Sequence, residues 1–436
     1  MLQAVQFRGT AIQIAAALTA TWAGAAAQSQ PAEGYPTAEQ VRERLYAAAE
    51  ARPDLCVAVD LTAKYGTPPT HQGRHLYAIK VSANPGLDED EPAVLFVAAH
   101  HGDEIASVLT ALHGIDVLTE AYGTDADITR LLDTREVWIA PLWNPDGYES
   151  GRRLNGRHNG NGTIGVDLNR NYQSGWGTCG GSDTPGRATY SGPEPASEPE
   201  TRTMVAWAAD KRFVIVHDAH AGGYDVRTGY GCDVGHPWDA FFRWQTGEII
   251  EATGLEMRAR NSCCLARNIH HHIRTNLSNA FLWELGGKSG DSEAVREQAE
   301  QVWRGVVRSF ARPISLSGHT IDATTGEPVA STISILEAGF TLGETGSGGG
   351  AFGRFDLVLP PGTHRIEFTA PGYSAWAISV MITPGSAETR EIRMVRDAQG
   401  AAAPVGDPQI VVKPPDGRSV STLGPISGVV GRGDGE

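Results

Sequence analysis

Positive charge is scarce in this sequence: 36 Lys and Arg stand against 51 Asp and Glu, a net charge of -15. So acidic a chain repels phosphate backbones and anionic headgroups, which argues against nucleic acid and membrane surfaces as partners. Long apolar runs are missing too. The nearest approach, residues 11–22, is too short and too Ala-rich to span a bilayer. The five cysteines (Cys56, Cys179, Cys232, Cys263, Cys264) contain no Cys-x-x-Cys spacing, so a cysteine metal site lacks its usual signature. No Tyr lies between Tyr230 and Glu284, and no cluster of His, Cys or carboxylates in residues 314–395 suggests chemistry.

What is present begins with a leader. Residues 1–27 carry one charge, Arg8, then the apolar stretch, then Ala25-Ala26-Ala27, the pattern of a secretory signal cleaved near Ala27. Its removal leaves a net charge of -16 and a secreted or periplasmic protein. All five cysteines survive cleavage and meet an oxidising compartment, where disulfides persist and one thiol stays unpaired unless it finds another molecule. Cys179 and Cys232 are plausible partners of the adjacent Cys263 and Cys264, with the connectivity left open. Residues 28–36 read as a flexible start, too short for a folded inhibitory pro-segment.

With 436 residues and 41% hydrophobic content, the chain can bury one large core and a smaller one. Thr37 caps an amphipathic helix over 37–50. Strand-like runs then follow at 76–81, 94–99, 137–142, 213–217 and 280–285, alternating with helical patterns at 105–122, 199–211, 238–253 and 292–310. The alternation predicts an α/β fold over residues 35–312, a mixed, mainly parallel sheet flanked by helices. Pro313 ends it. Residues 314–395 alternate apolar and polar positions between Gly- and Pro-containing turns, the texture of a small all-β sandwich, and 396–436 reads as a disordered tail.

The chemistry starts where the strand 94–99 meets His100-His101-Gly102-Asp103-Glu104, at the carboxyl end of a strand where open α/β sheets bind ligands. Three residues apart on a first helical turn, His101 and Glu104 can aim an imidazole nitrogen and a carboxylate oxygen at one zinc ion, about 2 Å from each. Alone, the pair reads first as a helix-start His beside a dipole-stabilised Glu, and as half a metal site only with support from elsewhere in the chain. Further signals follow in order: Asn144-Pro145-Asp146-Gly147; a Gly/Asn/Arg-rich loop over 151–172, too polar for core, with Gly165-Val166-Asp167-Leu168-Asn169-Arg170-Asn171; Ser191 to Thr201 with Ser197-Glu198-Pro199-Glu200; His220 after a strand; and Glu284 in an apolar run.

These motifs, in this order, resemble the zinc carboxypeptidase family of pancreatic carboxypeptidases A and B and the regulatory carboxypeptidases. The sandwich that follows is similar to the transthyretin-like domain of the regulatory branch. The resemblance implies one zinc per chain on His101, Glu104 and His220, with a fourth position open for water. His217 competes with His220, but it lies in the strand, whereas His220 directly precedes the Ala-Gly-Gly turn. Glu284 matches the general base that takes a proton from zinc-bound water, and its setting between Trp283 and Leu285 reads as apolar, which raises a carboxyl pKa toward the working range. Asn169 and Arg170 match the residues that grip a terminal carboxylate. Arg157 matches the arginine beside the scissile carbonyl, with Arg153 its rival because both share the Arg-x-Asn shape. The family's mobile Tyr before the general base has no counterpart; the segment instead carries His270-His271-His272, a weak candidate for a second metal, and no acidic residue that would select Lys or Arg.

The implied activity is that of a secreted zinc metallocarboxypeptidase acting on peptide or protein C-termini. A zinc-dependent amidase on peptidoglycan peptides or other acyl amino acids is the alternative, and a non-catalytic binding protein that keeps the groove is a third reading. The sequence leaves the oligomeric state open.

Overall fold

The computed structural model describes residues 34–178, 180–230, 235–261, 267–397 and 420–422. The expected signal at 1–27, nearly all of the tail 396–436, and Cys179, Cys232, Cys263 and Cys264 lie outside the described residues. The described Cys56 is a buried free thiol, pushed up to about 12 by burial.

Helix α1 (Ala38–Ala51) starts where the Thr37 hydroxyl accepts from the Gln40 amide at 3.2 Å and the Gln40 side chain accepts from the Thr37 amide at 2.8 Å. That reciprocal cap satisfies two otherwise orphaned donors and fixes the helix start. Beyond it, β1 (Cys56–Asp60), β2 (Tyr77–Val81), β3 (Ala93–Ala98), β4 (Glu136–Ala140), β5 (Ile215–Ala221), β6 (Asp225–Thr228), β7 (Arg258–Asn261) and β8 (Asn279–Leu285) form one sheet. Its strand order is β1-β2-β4-β3-β5-β8-β6-β7. The central strands β4, β3, β5 and β8 run parallel, while β1/β2, β2/β4 and β8/β6 are antiparallel. The sheet is therefore mixed, with a parallel centre.

Both faces of that centre are covered. Helices α2 (Ala106–Ala121), α3 (Pro199–Lys211), α4 (Arg267–Asn276) and α5 (Ser292–Phe310) supply the cover. Successive side chains of a strand point to opposite faces, so Val94, Phe96 and Ala98 join Val108, Trp303 and Val306 under α2 and α5, while Leu95 and Val97 join Met204, Trp207, Ile269 and Ile273 under α3 and α4. This two-sided burial explains why β3 reads as a continuous apolar run. The helices α2 and α5 touch closely at Gly114, where a Cβ would stand 1.8 Å from the Trp303 ring.

The bounds of α3 and α5 agree with the sequence pattern, and three expectations change. The strand expected at 213–217 runs on to Ala221, so His220 belongs to the strand itself. Helix α2 begins at Ala106, so His101 and Glu104 sit in the turn that precedes it, not on its first turn. The loop 151–172, judged too polar for core, is deeply buried at Asn155, Asp167, Asn169, Arg170 and Asn171 because its polar groups bond one another and their surroundings.

Past the sheet, Arg354–Leu357, Leu316–Asp322 and Glu388–Met394 form a three-stranded sheet, and Gly346–Gly348, Ser331–Leu336, Gly362–Ala370 and Tyr373–Ile382 a four-stranded one. Their inner faces enclose Leu316, Ile333, Phe355, Ile366, Phe368, Val380 and Met394. Asp90 ties this region to the larger sheet, accepting from Arg354 Nη1 at 3.1 Å and lying 2.8 Å from His319 Nε2. Strand Val420–Thr422 pairs with Leu87–Glu89. Among the described residues no helix is long and apolar enough to cross a membrane.

Candidate metal centre

Strand β3 is cut off sharply. Ala99 adopts φ +58°, a left-handed conformation that costs a residue with a Cβ about 1 kcal/mol or more and is kept where the surroundings impose it. The turn that follows packs backbone against backbone: a Cβ on Gly102 would lie 2.2 Å from the carbonyl carbon of Gly147, so only glycine lets the loop close. The Glu104 amide then donates to the His101 carbonyl at 3.2 Å, and the tight turn brings both side chains to one side. Because β3 and β5 are parallel with Ala98 opposite Ala219, their ends are level and His220 arrives beside the turn.

Three ligand atoms converge. His220 Nδ1 lies 2.8 Å from Glu104 Oε2 and 3.0 Å from His101 Nδ1, and His101 Nδ1 lies 3.0 Å from Glu104 Oε1. Donors on a tetrahedral zinc at about 2.0–2.1 Å are about 3.3 Å apart, close to this spacing. The far nitrogens meet carboxylates. His101 Nε2 faces Asp167 Oδ1 at 3.1 Å, and His220 Nε2 faces Asp218 Oδ2 at 3.3 Å. With two imidazole Nδ1 atoms and a carboxylate facing one point, the group calls for a cation or a proton among its atoms. The donor set of two imidazoles and one carboxylate suits zinc.

The electrostatics agree. Burial alone would raise Glu104, but the imidazoles of His101 and His220 hold it well below the ordinary carboxylate range. Burial alone would lower His220, yet the carboxylates of Asp218 and Glu104 push it up to about 10. Arg153 Nη1 reaches within 3.1 Å of His101 Nδ1, and Lys288 Nζ comes within 3.5 Å of Glu104 Oε1. His100, Asp218 and His220 form a second possible ligand group, but His100 is committed to Asp218 Oδ1 at 2.9 Å and to the Tyr172 hydroxyl at 2.8 Å. His217 points to the other face of β5, where it accepts from Trp283 Nε1 at 2.7 Å among Phe281 and Phe310, and it joins neither group.

Glu284 stands opposite His220 across the parallel β5/β8 ladder. Its expected apolar setting is not what the strand delivers. Alternation sends Trp283 and Leu285 into the core, while Glu284 faces the other way, with Oε1 3.2 Å from Arg227 Nη1. The amide of Gly222, in the turn after His220, donates to the carbonyls of Leu285 and Gly286 at 3.0 and 2.9 Å and so fastens the His220 turn to the end of β8.

Asn169 is brought to the centre, its Nδ2 3.1 Å from His220 Nε2, and its Oδ1 accepts from the Asn268 amide at 3.0 Å. Arg170, next in the chain, is buried and donates to the carbonyls of Gly180 at 2.7 Å and Asn169 at 2.9 Å. The two arginines of the 151–172 loop separate. Arg153 lies at the metal candidates, held by Asp167 Oδ2 at 2.8 Å, whereas Arg157 turns away to Glu198 Oε1 at 3.1 Å. The structure thus places Arg153, and not Arg157, beside the centre. His270, His271 and His272 are buried along α4 and belong to no ligand group among the described residues.

Sequence reasoning missed Asp167 and Asp218 as partners of the ligand imidazoles, and Lys288 and Arg227 altogether. Asp167 carried a signal, since it stands within the Gly-Val-Asp-x-Asn-Arg motif. Arg227 had none, because its significance is a cross-strand neighbour.

A family model described as zinc carboxypeptidase matches residues 45–293, more than half of the chain. Carboxypeptidase A2 of Rattus norvegicus is 30% identical over 196 residues, covering 42% of this chain and 45% of that protein. A zinc carboxypeptidase of Saccharothrix mutabilis subsp. capreolus is 42% identical over 118 residues, 26% of this chain and 27% of that one. Carboxypeptidase N catalytic chain of Mus musculus is 25% identical over 390 residues, 78% of this chain and 82% of that one. With the first two of these relatives, the match spans less than half of the relative's length. Among solved structures, carboxypeptidase A from Helicoverpa armigera superposes with a TM-score of 0.56 at 22% identity, over 64% of this chain and 73% of that one, a likeness of fold.

Proposed function

The chain belongs to the zinc carboxypeptidase family, and on that footing we propose that it is a metallocarboxypeptidase that hydrolyses the C-terminal peptide bond of peptides or proteins. The observation that carries the reading is the convergence of His101 Nδ1, His220 Nδ1 and the Glu104 carboxylate, with Glu284 on the neighbouring strand. His101, Glu104 and His220 would hold one zinc per chain, which, when bound, polarises the scissile carbonyl and acidifies a water at its open position.

The chain's own residues do the rest. Glu284 accepts a proton from the attacking water and returns it to the leaving amine. Arg153, a fixed positive charge beside the ligands, stabilises the oxyanion that develops on the scissile carbonyl, the part the sequence offered first to Arg157. Asn169 and Arg170 grip the substrate's terminal carboxylate, which restricts cleavage to the last bond. Asp167 and Asp218 orient the two imidazoles. The leader-like pattern of residues 1–27 supports action outside the cytoplasm.

Matched peptides with free and amidated C-termini test this. The reading expects release of the last residue from the free peptide only, abolished by a chelator and restored by zinc. Equal cleavage of both would remove Arg170 from its role, and turnover confined to cell-wall peptides would favour the amidase alternative.

A further inference from the structure

We propose that Arg227 is a positioning residue for Glu284, holding one carboxylate oxygen so that the other faces the reacting water; the inference rests on Glu284 being the base. Strands β6 and β8 are antiparallel with Asp225 opposite Glu284 and Arg227 opposite Leu282. Arg227 is thus the diagonal neighbour of Glu284 on the same face, about 7–8 Å away between backbones, a span that only a long side chain crosses.

Its guanidinium forks between two carboxylates. Nε donates to Asp225 Oδ1 at 2.5 Å, and Nη1 lies 3.2 Å from Glu284 Oε1. Asp225 is buried, and Arg260 Nε also approaches it, at 3.4 Å from Oδ2, so the anchor behind Arg227 is itself fixed. Glu284 Oε2 is left over the turn that follows His220, where a Cβ on Gly222 would lie 4.0 Å from it. A glutamate has three rotatable bonds, and a base that wanders by about 1 Å loses rate on the order of 100-fold. An arginine suits the task because it stays charged and does not exchange the proton in transit. Arg227 and Glu284 are both partly exposed and outside the apolar core, and Arg260 stays beside Asp225 when Arg227 is replaced.

The test compares the full chain, zinc-loaded, as wild type, Arg227→Gln, Arg227→Lys, Glu284→Gln and the double variant Arg227→Gln/Glu284→Gln, on one free-acid peptide. Arg227→Gln should lower kcat roughly 10- to 100-fold while KM moves less than about threefold and zinc content stays at wild type. Arg227→Lys should recover part of the loss, and Arg227→Gln should cost nothing further in the Glu284→Gln background. Wild-type kcat in Arg227→Gln, a loss confined to KM, or an equal loss in both backgrounds overturns the proposal. Wild-type turnover in Glu284→Gln removes Glu284 as the base and Arg227's role with it, an outcome separate from a failure of Arg227 alone.

Discussion

Arg153 Nη1 stands 3.1 Å from His101 Nδ1, on the same imidazole nitrogen that faces Glu104 and His220. Arg157, four residues on, pairs with the fully buried Glu198. Substituting Arg153 by Gln should therefore reduce kcat/KM by about 100- to 1,000-fold, the scale of a lost oxyanion donor. Arg157→Gln should leave kcat/KM within about threefold and cost about 1 kcal/mol of stability, because Glu198 keeps His71, Asn155 and Ser197 as partners. Steady-state kinetics and thermal melts of the two variants give the comparison; equal kinetic losses would return Arg157 to the site.

Metal analysis separates the histidines. His101→Ala and His220→Ala should purify with little zinc and no activity, whereas His217→Leu should keep its zinc, since His217 faces Trp283 on the other side of the strand. A zinc-free His217→Leu protein that remains folded would redraw the ligand set.

The carboxylates behind the imidazoles should matter nearly as much. Asp167→Asn and Asp218→Asn each neutralise a carboxylate that faces a candidate ligand imidazole, and each should weaken zinc binding about 10- to 100-fold in a competition titration with a coloured chelator. Unchanged affinity in both would show that the imidazoles are oriented by packing alone.

Acid should destabilise the fold before it titrates most carboxylates. Burial lowers His217 to about 3 and His236 and His271 to about 4, from an ordinary 6.5. The unfolded chain takes up protons near pH 6.5 that the native fold refuses, so this stability is complete above about 6.5 and drains away as the pH falls toward 4. Melting temperature should fall steadily from pH 7 to pH 4.5. A flat profile over that range contradicts the buried neutral imidazoles.

Glu200 gives the opposite slope. It is fully buried, and burial, with the nearby Glu198 carboxylate, pushes it up to about 8. The unfolded chain releases this proton near the ordinary 4.5, so holding it costs stability as the pH rises from there toward 8. Glu200→Gln should raise the melting temperature at pH 8.5 and change it far less at pH 5. A variant less stable than wild type at pH 8.5 would mean that the ionised form has a function in the fold.

Much of this was readable in order along the chain, and the unreadable part has a common cause. Helix α5 announces itself because an amphipathic period is a local property. Strand β7, Arg258–Asn261, does not, since all four of its residues are exposed and no apolar alternation marks it. The residues His101, Glu104, His220 and Glu284 stand out because strands that end together carry chemical side chains at their ends. The environment of Glu284 misleads in sequence: its neighbours Trp283 and Leu285 are apolar, but in a strand neighbours face the opposite way, so they describe the core and not the carboxylate. The choice between Arg153 and Arg157 turns on which one meets Asp167 and which Glu198, partners that loop spacing does not encode.

One consequence follows from the ladder that sets His220 opposite Glu284 and from the Gly222 amide clasped by Leu285 and Gly286. The candidate ligand and the proposed base ride on adjacent, hydrogen-bonded strands. A distortion of that ladder would shift both side chains together, whereas a change in a surrounding loop would leave their separation to the two strands.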